Sequence, residues 1–300
     1  MEPWILITIG AASAQTLRFM LQKQLKGLAL STAGATFARF IYSSPLVAVI
    51  ATLYATTSGQ GAPEIPRTFW PYALAGGTSQ ILATMCVVAL FSHRNFAVGI
   101  TFKKTEVLLS ALVGFLILGD TFTAATIAAM CLGLVGVLLL SDQPNGVGRW
   151  YQRIFSRATA LGLGAGVLFG ISGNGYRGAS LSLGAGDVFY RAIVTLAIVT
   201  ALQTVAMALW LFWRERGEIL RVLAAWRVAG LVGLTSMIGS ICWFTAYTMQ
   251  NAAYVNAVGQ IELMFSLMIG AFVFGEKVTV REWQGLLLLT FSIVLLVFLL

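Results

Sequence analysis

Lys103, Glu106, Ser110 and Gly114 recur at steps of three and four, which puts an ammonium, a carboxylate, a hydroxyl and a small residue on one stripe of a helix. Gly259, Glu262, Ser266 and Gly270 repeat that stripe in the second half of the chain. Such a stripe could hold the amino and carboxylate groups of a zwitterionic solute between Glu and Lys. It could equally let Lys103 and Glu106 pair at i,i+3 and neutralise each other. The small members, Gly114 and Gly270 with Ser110 and Ser266, read as positions where membrane helices approach closely.

Further polar groups accompany the stripe. Asn256 and Gln260 stand one turn apart, and Gln15, Arg18 and Gln22 follow an i, i+3, i+7 spacing. Arg18 is the candidate anchor for an anion, the alternative being a long stem that snorkels to a nearby surface. Lys104, Asn174 and Arg177 add donors on other helices. Trp243 and Tyr247 could stack on an aromatic or cationic solute, whereas Tyr254 reads as an anchor at the membrane interface. Arg39 and Arg191 read as structural, securing helix ends or pairing with carboxylates. The single histidine, His93, marks a loop rather than a proton relay.

The elements that position these groups are membrane helices. Of 300 residues, 58% are hydrophobic and 10% charged, against roughly 25% charged in an ordinary soluble domain. A mean hydropathy of +0.87 leaves no room for a sizeable soluble domain. A helix needs about 20 mostly apolar residues to cross a bilayer. Ten such spans can be drawn: Pro3 to Gln22, Thr32 to Thr56, Thr68 to Ser92, Ala97 to Leu118, Thr121 to Leu140, Thr159 to Leu181, Val188 to Trp213, Trp226 to Gln250, Ala253 to Phe274 and Val278 to Leu299. The first lacks a basic leader and a cleavage site, so it reads as a retained helix.

An offset of 156 residues aligns Trp70 with Trp226, Cys86 with Cys242, Glu106 with Glu262, Gly119 with Gly275 and Asp120 with Glu276. Earlier in each half an offset of 152 pairs Phe37-Ala38-Arg39 with Phe189-Tyr190-Arg191. Two homologous halves follow, residues 1–142 and 158–300, joined by a cytoplasmic linker at 143–157. Because each half holds five helices, an odd number, the second enters the membrane from the opposite side, and the expectation is a pair of inverted repeats with a polar site between them. Twelve of the nineteen lysines and arginines fall on one set of connections, against Arg67 and Arg177 on the other. The positive-inside rule then puts both termini outside the cytoplasm.

Arg39 and Arg191, each early in the second helix of its half, together with the doubled run from Thr105-Glu106 to Gly119-Asp120 and from Glu262 to Gly275-Glu276, resemble EamA-type members of the drug/metabolite transporter superfamily. The resemblance covers nearly the whole chain. It implies a ten-helix all-α basket whose fourth and ninth spans line a central cavity and whose fifth and tenth are peripheral. The polar first span departs from that pattern. So does the charge count, since cytoplasmic termini are what the resemblance implies.

Function is expected to be secondary transport, the export of aromatic or other neutral amino acids and related metabolites across the bacterial inner membrane by alternating access. No cofactor or metal is expected, because Cys86, Cys131 and Cys242 sit in apolar runs without ligand spacing and the sequence carries no Walker motif. The run Leu161-Gly162-Leu163-Gly164-Ala165-Gly166 has no strand before it to make a nucleotide fold. Nucleic acid is not an expected partner, since the basic residues are scattered; a small-molecule substrate and the bilayer are, with the chain a monomer or a weak homodimer. The competing reading, an intramembrane enzyme or flippase acting on a lipid-linked substrate, lacks a nucleophile–base or metal constellation.

Overall fold

The computed structural model describes residues 2–28, 30–61, 63–90, 103–141, 157–265 and 280–299. These form eleven helices: α1 (Pro3–Gly27), α2 (Thr32–Thr57), α3 (Phe69–Leu90), α4 (Glu106–Leu118), α5 (Ala124–Ser141), α6 (Arg157–Ser182), α7 (Val188–Arg214), α8 (Glu218–Ala224), α9 (Trp226–Met249), α10 (Ala252–Gly259) and α11 (Val280–Phe298). Among the described residues there is no strand. Five helices, α1, α2, α3, α7 and α9, are long and apolar enough to span a bilayer, and α4, α5 and α11 hold shorter apolar stretches. His93, Ser266, Gly270, Gly275, Glu276 and nearly all of the expected linker lie outside the described residues.

Local chemistry fixes the helix ends. Pro3 occupies the first turn of α1, where its missing N–H costs nothing. The Ser31 hydroxyl accepts from the Gly34 amide at 2.9 Å to open α2. Gly119, at φ 69°, closes α4 while the Asp120 amide returns to the Gly114 carbonyl at 3.2 Å. Pro45 lies inside α2 and removes one donor from its ladder; neighbouring helices make this tolerable in a membrane.

The helices pack chiefly as pairs: α3 on α6, α1 on α9, α5 on α11 and α2 on α7, with α4 on both α6 and α10. Small residues allow the closest crossings. A Cβ on Gly175 would stand 2.8 Å from Gly76 Cα, and one on Gly136 would stand 2.8 Å from the Leu289 amide nitrogen. Backbones meet there directly, as small-residue stripes permit in lipid. The outward surface is apolar: Phe212, Trp213 and Phe298 are each more than 75% exposed. In water such rings would seek cover; in a bilayer they are solvated.

The connection between the seventh and eighth expected spans contains α8, and Glu218 on it is 2% exposed. Its Oε1 accepts from the Ser31 amide at 2.6 Å and its Oε2 from Arg221 at 3.1 Å, so a second-half carboxylate caps the first-half helix α2. Asp187 secures the other end of α2, accepting from Tyr54 at 2.8 Å and Gln60 at 2.5 Å while capping α7 through the Tyr190 amide at 2.8 Å. Partial burial pushes the Asp187 carboxyl up, but these donors outweigh it and hold it below the ordinary carboxylate value. A lowered carboxyl stabilises the fold above its unfolded pKa, and that contribution fades as pH falls through the lowered value. Asp187→Ala is expected to cost about 1 kcal/mol through the lost cap. Thermal unfolding of detergent-solubilised protein should show a gap between wild type and variant that closes on acidification below about pH 4; a gap that widens instead would contradict this assignment.

Candidate functional site

Helices α1, α3, α4, α6, α9 and α10 surround a central cavity of about 520 Å³, part of it open space at its mouth. Two helix discontinuities meet beside it. A turn at Lys104–Thr105 precedes α4, and a turn at Gln260–Ile261 follows α10, at positions related by the 156-residue offset. Broken helices at membrane depth free polar groups to face a cavity.

Four ionisable side chains meet at those turns. Lys103 Nζ lies 3.1 Å from Glu106 Oε1 and 3.8 Å from Glu262 Oε1. Lys104 donates to Glu262 Oε1, and Gln15 Nε2 donates to Glu262 Oε2 at 2.7 Å. Gln260 Nε2 donates to Glu106 Oε1 at 3.4 Å. The contacts therefore run Lys104 to Glu262 and Glu106 to Gln260, so that one strand of contacts advances along the chain as the other retreats: the two segments cross antiparallel. All five residues of this network besides Gln15 are at most 7% exposed. The i,i+3 pairing of Lys103 with Glu106 is thus present, and it is embedded in a larger network that joins both halves of the chain.

Behind this network Arg18 donates to Gln15 at 3.2 Å and Gln22 at 3.4 Å, and its guanidinium lies over Phe19 at 4.5 Å. It is 3% exposed and points inward rather than snorkelling. Arg39 donates to Thr84 at 3.2 Å and to Ser240 at 3.3 Å across the two halves. Arg191, which the 152-residue offset pairs with it, is only half-buried, and its Nε has no hydrogen-bond partner among the described residues. The two arginines are not equivalent in their surroundings.

Aromatic rings build the rest of the wall. Trp243 stacks on Tyr247 with centroids 5.6 Å apart, and the Tyr247 hydroxyl donates to Asn256 Oδ1 at 2.7 Å. Tyr176 stacks on Phe244 at 4.1 Å, with its hydroxyl donating to Gln80 at 2.6 Å. Phe169 lies 5.0 Å from the Lys103 ammonium, a cation–π contact.

Of the residues singled out from sequence, the cavity wall collects Gln15, Lys103, Glu106, Trp243, Tyr247, Asn256 and Glu262. Lys104 and Gln260 stand just behind it, lining a second, largely apolar space of about 300 Å³ between α4, α5, α10 and α11. Asn174 is elsewhere: it donates to Ser110 and to the Gly170 carbonyl, tying α6 to α4. Gly114 packs against it, since a Cβ there would meet Asn174 Oδ1 at 2.9 Å. Tyr254 differs from the interface anchor expected; it is 7% exposed and packs on Phe122 at 5.6 Å. Sequence reasoning missed Gln80, Phe169, Ser172, Tyr176, Ser240 and Phe244, all in the wall. Gln80, a lone amide inside an apolar span, was the available signal.

Residues 157–298 match the EamA-like transporter family. No curated protein matches the chain by sequence. One solved crystal structure of a protein aligns over 97% of this chain and 99% of that chain, with a TM-score of 0.65 at 16% identity, a likeness that speaks to the fold alone.

Proposed function

We propose that the protein is a secondary transporter that exports amino acids, aromatic and other neutral ones, and related small metabolites by alternating access between two inverted five-helix repeats, a reading supported by the match of residues 157–298 to the EamA-like transporter family and by the helices long and apolar enough to span a bilayer. The observation that carries this reading is the lysine–glutamate network: its charges come from both halves of the chain, meet at helix breaks, and face a cavity walled by stacked rings. A charge at the centre of a lone helix costs at least about 2.5–3.5 kcal/mol on insertion scales, so buried ions mark a pathway or a partner. Here each has a partner, and the cavity beside them supports the reading of a pathway.

The helix pairing supports the repeat arrangement. Exchanging the first half for the second turns the α3–α6 pair into the α9–α1 pair and leaves α2–α7, α5–α11 and α4–α10 unchanged, and all of these pairs are in contact. Inverted repeats of this kind let one cavity open alternately to either face. The charge asymmetry of the connections supports non-cytoplasmic termini in a bacterial inner membrane.

Proteoliposomes loaded with radiolabelled amino acids test the activity. Counterflow or efflux above protein-free liposomes is expected for at least one aromatic or neutral amino acid. Rates equal to empty liposomes for every amino acid tried would remove this substrate class.

A further inference from the structure

The charges around the cavity do not balance. Among the described residues four cations are buried beside it, Arg18, Arg39, Lys103 and Lys104, none more than 4% exposed, against the carboxylates of Glu106 and Glu262. Both carboxylates are engaged by lysine, Glu106 by Lys103 and Glu262 by Lys104. The hydrogen bonds of Arg18 and Arg39 go to neutral groups, Gln15 and Gln22 for one, Thr84 and Ser240 for the other. Gln15 and Ser240 line the cavity. Each guanidinium therefore stands one neutral side chain behind the wall, and arginine does not shed its proton in proteins. A low-dielectric cavity with two surplus positive charges carries a field that draws an anion.

The wall also offers donors where an anion would lie. Lys103 faces the cavity, and its ammonium has three N–H bonds to give. Trp243 Nε1 is buried in the same wall with no hydrogen-bond partner among the described residues. An indole nitrogen only donates, so it calls for an acceptor. An ammonium group finds the reverse, since among the described residues the cavity-lining carboxylates already hold lysines. The flat walls of Trp243 with Tyr247 and of Tyr176 with Phe244 suit a ring.

We infer that, within the amino acids and related metabolites of the proposed function, the site prefers net-anionic members, an aromatic carboxylate without an ammonium group binding ahead of the corresponding zwitterion. This narrowing rests on the transport reading and is separable from it. Three probes that share one ring and chain decide it: 3-phenylpropionate, phenylalanine and phenethylamine, titrated calorimetrically into full-length protein in detergent at pH 7, with phenylalanine counterflow measured in parallel. Binding of 3-phenylpropionate about tenfold or more tighter than phenylalanine, with no binding of phenethylamine, is the expected result, equivalent to about 1.4 kcal/mol. Phenylalanine binding as tightly as 3-phenylpropionate or tighter overturns the inference while counterflow keeps the transport reading intact. Absence of both binding and counterflow overturns both. Arg39→Gln should reduce the preference between the two ligands and Arg39→Lys should keep it; a ratio unchanged in Arg39→Gln also overturns the inference. Because the ratio compares two ligands on one preparation, it is read even if the variant is less stable.

Discussion

Glu262→Ala protein is expected to unfold well below the wild-type temperature and to transport nothing measurable. Glu262 receives Lys104 and Gln15 and lies within 3.8 Å of Lys103. Deleting it leaves Lys104, 2% exposed, as a buried ammonium whose direct carboxylate partner is gone. Breaking a buried pair from one side costs about 3–5 kcal/mol because the surviving charge is stranded. Replacing both members with apolar groups of similar size is often neutral, so Lys104→Met added to Glu262→Met should recover most of the lost thermal stability. The same double variant should stay inactive, because the charges that face the cavity are no longer poised. Melting curves of the single and double variants in detergent, with counterflow on each, separate the two roles. A Glu262→Ala protein as stable as wild type would show that the network is solvated rather than buried, and recovery of flux in the double variant would show that it is scaffold alone.

The stripe through Lys103, Glu106 and Ser110 was legible because helical spacing is a local rule, and the 156-residue offset carried the same reading to Glu262. What spacing cannot supply is the partner. Lys104 and Glu262 are 158 positions apart, and nothing in either segment says which face meets which. The same limit hid Arg39, which looked like the equal of Arg191. Its guanidinium reaches Ser240 on α9, whereas the Arg191 Nε meets no such acceptor among the described residues. Positions that a sequence offset pairs can pack against different neighbours, and here they do. The helix breaks were invisible for a different reason. Lys104–Thr105 and Gln260–Ile261 interrupt runs that average hydropathy reads as continuous spans. Gln80 and Tyr176 were missed because neither belongs to a spaced polar pattern, and their meeting at 2.6 Å depends on the α3–α6 crossing that Gly76 and Gly175 allow.

The largest conformational effect is expected from exchanging two residues that the offset makes equivalent, Lys104→Gln with Gln260→Lys. In the wild type the antiparallel crossing stacks two contacts along the segment. An ionic one, Lys104 to Glu262, lies towards the start of α4, and an amide one, Gln260 to Glu106, lies towards its interior. If the halves rock about this crossing, one contact loosens as the other tightens, and the ionic one resists loosening more than the amide does, since it joins two full charges of opposite sign whereas the amide brings only a dipole to the Glu106 carboxylate. On the proposed orientation, with the basic connections cytoplasmic, the ionic contact lies on the cytoplasmic side, and a resting population that opens away from the cytoplasm is the expected result. The exchange conserves composition, total charge and the number of contacts but moves the strong clasp to the other side. A shift of about 1.4 kcal/mol changes the ratio of the two populations about tenfold. A cysteine introduced at Ser172 in the cavity wall, after removal of Cys86, Cys131 and Cys242, reports it. Labelling by an impermeant thiol reagent should rise from the cytoplasmic face and fall from the opposite face, with the contact of Lys103 to both glutamates blunting the change. Labelling that keeps its wild-type sidedness in a folded, exchanged protein would mean that the two contacts do not control opposite openings, and the crossing would then be a fixed joint on which some other pair of elements moves.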